Sequence, residues 1–192
     1  MTGEQRLSLE KVENAQEHAV HTFMEYWHRF SDFHTWQFWL HMAMLVVPLI
    51  CVFILIDRKK ALQIGFYGFN VHVWFTYIDT IGVRNSLWVY PFQAIPFIPV
   101  SFGLDAALIP VLFMLVYQWS INEKKNYYLC SIGLSLILSF IIKPIFVAMD
   151  LLVLMKGMNY FHLFLGYIIV LLLSKWIANL FLYMQKKSKA TV

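Results

Sequence analysis

The sequence predicts an all-α polytopic membrane bundle of about five transmembrane helices, with a proline-broken re-entrant or interfacial segment and an N-terminal amphipathic helix. Three observations lead there. Of 192 residues, 60% are hydrophobic and only 14% charged, more apolar mass than a soluble domain of this size buries, so its solvent must be lipid. The apolar residues fall in runs of roughly 20, the length at which a helix rising 1.5 Å per residue crosses the ~30 Å hydrocarbon core. The basic residues cluster at the ends of those runs instead of covering a face, which also argues against nucleic acid as a partner.

Residues 1–35 come first. Leu9, Val12, Val20, Phe23, Trp27 and Phe30 recur near helical spacing with charged residues between them, which predicts an amphipathic helix on the extracytoplasmic surface. Its polar side includes Glu17, His21, Glu25 and His28. Several acids and no short basic lead-in distinguish this stretch from a cleavable signal peptide, so the first membrane segment is expected to be retained.

The first span, 36–56, has no charged residue and stops at Asp57, Arg58, Lys59 and Lys60. A second, 61–78, begins at once, so the basic turn joins a hairpin, and the positive-inside rule puts that turn in the cytoplasm. Pro91, Pro96 and Pro99 then exclude a regular helix. The stretch 87–102 is therefore expected not to span, with Trp88 and Tyr90 at headgroup level, a distorted sixth span being the alternative. The third span, 104–119, ends at Glu123, Lys124 and Lys125. The fourth, 127–149, leads to a short loop with Asp150 and Lys156, and the fifth, 160–183, to a tail, 184–192, with Lys186, Lys187 and Lys189. Every adjacent basic cluster then lies inside. The expectation is a multi-pass cell-membrane protein with its N-terminus outside and its C-terminus cytoplasmic, without internal repeat or second domain.

Two polar stripes stand out within the spans. Gly65, Gly68, His72, Thr76 and Asp79 follow at intervals of three or four, as do Ser131, Ser135, Ser139 and Lys143. Such stripes face protein, either as close helix contacts or as a binding or proton-handling site. Lys143 is the sharpest clue, because a lysine inside a membrane helix costs about 2.5–3.5 kcal/mol on insertion scales unless paired, hydrated or snorkelling. Its depth, about 24 Å from the inner end, matches that of Asp79 and Asp105. An ion pair with one of them is expected, with snorkelling to the outer headgroups as the alternative. His41 and His162 also lie in the outer parts of their helices. His41, His72, Asp79, Asp105, Lys143 and His162 are thus the candidate lining of an outward-facing polar pocket for a ligand or an ion pair. Lys175 and Asn179 share a different face, and Lys175 is expected to stretch towards the cytoplasm.

Glu25 and His28 have the spacing of half a carboxylate-bridged metal site, but no second Glu-x-x-His occurs. Cys51 and Cys130 fall inside apolar runs, as small core residues would. No nucleotide-binding, hydrolase or zinc-protease motif is present. No metal and no cofactor is expected.

The segments Tyr77-Ile-Asp79-Thr-Ile-Gly82, Leu87-Trp88-Val-Tyr90-Pro91 and Ile95-Pro96-Phe-Ile-Pro99 resemble a family of small, uncharacterised multi-pass membrane proteins of endospore-forming bacteria, which implies a bacterial cell membrane. The same stretch is similar to the Asp, Gly, Trp-x-Tyr, Pro pattern of integral-membrane lycopene cyclases, which close isoprenoid rings by acid catalysis. Those cyclases carry paired acids just after the proline; here Phe97 and Val100 follow Pro96 and Pro99, and the nearest acid is Asp105.

Three functions fit these residues. The leading expectation is a non-catalytic subunit that binds a membrane-protein partner, or a second copy of itself, through its glycine and serine stripes. The next is binding or transport of a small anion or lipid headgroup by Lys143 in the polar pocket. The third is an isoprenoid-cyclase-like enzyme with Asp79 or Asp105 as proton donor. The catalytic residues, if there are any, stay unassigned.

Overall fold

The computed structural model describes residues 1–98 and 100–189, the last two without their side chains, so Pro99 and the end of the tail, including the Lys189 side chain, lie outside the described residues. The described residues form six helices: α1 (Gly3–Phe30), α2 (Trp36–Leu55), α3 (Ala61–Arg84), α4 (Leu104–Asn122), α5 (Tyr127–Ala148) and α6 (Tyr160–Lys189). A two-residue strand, β1 (Trp88–Val89), pairs antiparallel with another, β2 (Val153–Leu154). Helices α2, α4, α5 and α6 are long and apolar enough to cross a membrane. Helix α3 has 24 residues, about 36 Å at 1.5 Å per residue, but carries too many polar groups to join them on composition.

That polar helix is the centre of the bundle. It packs on α4 and α6, and Ile64, Tyr67, Val71 and Phe75 form one side of the core. Asn70 and Asp79 are buried on it as well. The outward sides of α2, α5 and α6 are apolar and exposed, as at Phe53, Ile141 and Leu172. Membrane helices present such a surface to lipid.

Hydrogen bonds fix which helix ends lie together. At the basic end, Gln118 accepts from the Asp57 amide at 2.7 Å and donates to the Leu55 carbonyl at 2.9 Å, while the Lys60 ammonium donates to Asn122. The 57–60 and 122–126 turns are therefore neighbours. At the opposite end the Lys156 ammonium donates to the Asn85 carbonyl, and the Met155 amide to the Leu87 carbonyl at 2.8 Å. There α3 runs on to Arg84, past the expected boundary at residue 78, because Asp79 is buried in the core instead of marking the membrane surface. Ser86, with φ of 53°, reverses the chain, and the Leu87 amide bonds back to the Gly82 carbonyl. This turn lays Trp88 against α3.

Helix α1 starts at a reciprocal cap, Thr2 with Gln5, and none of its residues is buried. Its last turn is pinned by Trp27, whose indole donates to the Gln93 carbonyl at 2.8 Å, and Ser31 Oγ accepts from the Gln93 amide. In the linker that follows, the His34 ring and amide beside Asp32 hold that carboxyl below its usual range.

Two glycines set helix contacts of different stiffness. A Cβ on Gly103 would lie 2.5 Å from the His41 carbonyl oxygen, which is backbone, whereas one on Gly68 would meet the flexible end of Met114. Gly65, though part of the same stripe, has open space beside it and makes no such contact. Gly103→Ala should therefore cost about 2 kcal/mol or more, as overpacking against fixed atoms does, and Gly68→Ala under ~1. Equal losses of thermal stability in detergent for the two variants would contradict this ranking.

Candidate functional site

Two helices carry the same local irregularity. In α4, residues Leu104–Leu108 form a π-helical turn closed by the Ile109 amide on the Leu104 carbonyl; in α5, Leu138–Ile142 form another, closed by the Lys143 amide on the Leu138 carbonyl. A proline follows each, Pro110 and Pro144. Proline has no N–H to donate, so the preceding turn cannot keep its ordinary four-residue bonds and relaxes by taking in one more residue. Both turns deliver a charged side chain into the interior: Asp105 lies within the first, and Lys143 directly follows the second.

There they meet Asp79. Its Oδ1 accepts from the Trp88 indole and the Tyr90 hydroxyl, both at 2.8 Å. The Asp105 carboxyl and the Lys143 ammonium are its charged neighbours, and each of the three acts on the other two. The expected direct ion pair is not made. Among the described residues no carboxylate oxygen lies within 4.0 Å of Lys143 Nζ, which sits instead 5.6 Å from the centre of the Tyr90 ring. Nor does Lys143 snorkel: Asp79, Asp105 and Lys143 are all at least 96% buried. Asp79 Oδ2, both oxygens of Asp105 and the Tyr167 hydroxyl are buried without a hydrogen-bond partner.

Above these groups lies a cavity of about 320 Å³. Asp79, Tyr90, Lys143 and Tyr167 form its polar floor, and Phe75, Trp88, Leu152, Met158 and Gly166 are among its apolar walls. Its mouth opens between α3 and α6, flanked by the exposed side chains of Ile81, Leu165 and Ile169. A Cβ added to Gly82 would collide with the Trp88 ring. This glycine lets the indole reach Asp79.

The histidines separate. His72 donates through Nδ1 to the Asp105 carbonyl at 2.8 Å and so supports the π turn from outside the cluster. His162 is exposed at the cavity wall and accepts from the Asn159 amide. His41 is buried elsewhere, at the α2–α4 contact, with Nδ1 3.3 Å from Ser101 Oγ. Trp88 and Tyr90, expected at headgroup level, are buried donors to Asp79, because the turn at Ser86 folds them inward. Tyr167 was not singled out; its signal is a hydroxyl in the middle of an apolar run. Lys175, expected to stretch towards the cytoplasm, packs against two rings of the bundle interior. Its ammonium lies 4.5 Å and 5.0 Å from the ring centres of Tyr117 and Tyr127.

Among the described residues no group of three or more His, Cys, Asp or Glu could hold a metal. The chain matches no family model, no curated protein and no solved structure.

Asp79 Oδ1 needs to remain an acceptor. Asp79→Asn keeps that oxygen for Trp88 and Tyr90, so its stability should stay within about 1 kcal/mol of the parent. Asp79→Leu orphans two buried donors and should lose about 2–4 kcal/mol. Thermal unfolding in detergent separates the two, and equal behaviour would show that Asp79 is not the anchor.

Proposed function

We propose that this chain is a five-span protein of the cell membrane, N-terminus outside and C-terminus cytoplasmic, that binds a lipid-like amphiphile in the cavity between α3 and α6. The observation that carries this reading is the cavity itself: apolar walls, a mouth flanked by exposed aliphatic side chains, and a floor of buried, incompletely bonded polar groups. Apolar cavities with a few convergent polar groups are the usual form of small-molecule sites. An alkyl or isoprenoid chain entering from the bilayer suits the walls, and a polar end suits the floor.

The five-span topology draws on the position of α3, which runs the length of the bundle among helices apolar enough to span. The orientation draws on the basic turns gathered at one end. A partner bound through the serine stripe is less well supported, because Ser131, Ser135 and Ser139 are fully buried within the chain itself. An acid catalyst acting on an isoprenoid would use the same cavity, but binding is the simpler function the residues support.

Gly166 offers a direct test, since it lines the cavity and a Cβ there meets nothing within 4 Å. Gly166→Phe should fill the cavity and leave the fold intact. Gentle purification followed by native mass spectrometry should show a lipid-sized adduct on the parent protein and at least a tenfold smaller fraction on the variant; equal retention would overturn the site. Topology is checked separately in a Cys51→Ala/Cys130→Ala background. A cysteine replacing Glu13 should react with an impermeant maleimide on intact cells and one replacing Lys124 should not, and the reverse pattern would invert the orientation.

A further inference from the structure

The floor of the cavity indicates which polar end it takes. Resting on the amphiphile-binding reading above, we propose that the ligand carries an ammonium head group, as a long-chain amine or amine-headed lipid does. Two carboxyls, Asp79 and Asp105, face one ammonium, Lys143, so one negative charge is left over when all three are ionised. An anionic head would sit against that excess, and a cation would neutralise it. Like charges forced together in a water-poor site are costly, and an opposite charge with hydrogen bonds offsets that cost.

The walls point the same way. Phe75, Trp88, Tyr90 and Tyr167 all line the cavity, with Phe75 and Tyr167 stacked at 5.3 Å between centres. Ring faces within about 6 Å attract cations, and aromatic side chains with a carboxylate recur where alkylammonium groups are held. Lys143 already uses one such face, that of Tyr90. The acceptor left for a second cation is Asp79 Oδ2, buried and without a partner, on a residue that lines the cavity. Its other oxygen is fixed by Trp88 and Tyr90, so the free one is held in a single orientation. Tyr167 adds an unpartnered hydroxyl on a residue of the same cavity.

The test is a competition on the full-length protein in nonionic detergent, with equimolar hexadecylamine, hexadecanol and hexadecyl phosphate, read by native mass spectrometry as the fraction of protein carrying each. The amine is expected to be retained about tenfold over the alcohol, and the phosphate least. Asp105→Asn should erase the preference for amine over alcohol, and Lys143→Met should increase it. These opposite shifts are ones that a general loss of fold cannot produce. Equal retention of all three chains overturns the ammonium assignment and leaves chain binding standing. Preference for the phosphate overturns it in favour of an anion held by Lys143. Retention of none overturns the cavity reading with it.

Discussion

A carboxylate at the depth of acyl chains has no water to turn to, so the protein must supply whatever keeps it there. Asp79 is buried in a bundle of apolar helices, and much of the end of the bundle opposite the basic turns is arranged around its Oδ1. The left-handed residue at Ser86 brings the chain back over α3, the bare face of Gly82 leaves room for an indole, and Trp88 and Tyr90 then each donate to the same oxygen. The short β1–β2 pairing ties this returning segment to the loop between α5 and α6. A strand of two residues is marginal alone; here it holds in place a segment whose main anchor is the carboxylate.

The two π turns supply the rest. A regular α-helix would keep Asp105 and Lys143 in register with the apolar faces of their own helices. An inserted residue rotates the chain by roughly a quarter turn relative to what precedes it. Prolines at 110 and 144 make that insertion inexpensive, because the bond each would have closed in an α-helix does not exist. Helices α4 and α5 thus bend their ladders at one level and bring an acid and a base to the same point.

Sequence reading succeeded where one physical effect dominates. The apolar runs of α2, α4, α5 and α6 leave no other solvent than lipid, and the depth of Lys143 along its helix placed it at the level of the two acids. It failed where a side chain has two uses. Trp88 and Tyr90 were read as interfacial because amphipathic rings favour headgroups, yet the same N–H and O–H groups also serve a buried carboxylate, and only the turn at Ser86 decides between the two. The ring partners of Lys175 were not legible for a related reason: a cation can go to water or to an aromatic face, and Tyr117 and Tyr127 lie far from it in sequence. Gly65, Gly133 and Gly166 are indistinguishable in sequence from Gly68 and Gly103, but only the latter two meet a neighbouring helix. Whether a small residue makes a contact or leaves a hollow depends on what stands opposite.

The chain also contains its own comparison for a purely structural polar cluster. Towards the basic end, Tyr67 and Tyr127 share a hydrogen bond at 2.7 Å, Tyr127 donates to the Leu171 carbonyl, Gln63 donates to Tyr117, and Lys175 rests on two rings. Every hydroxyl of that tyrosine group has a partner. At the opposite end, four buried oxygens of Asp79, Asp105 and Tyr167 have none. Buried polar atoms without partners are rare because each costs about 1–3 kcal/mol. The orphaned atoms of Asp79 and Tyr167 differ from those of His41, Gln93, Ser131, Ser139 and Ser174 in that their residues line a cavity walled by rings and aliphatic side chains, where an entering group would reach them.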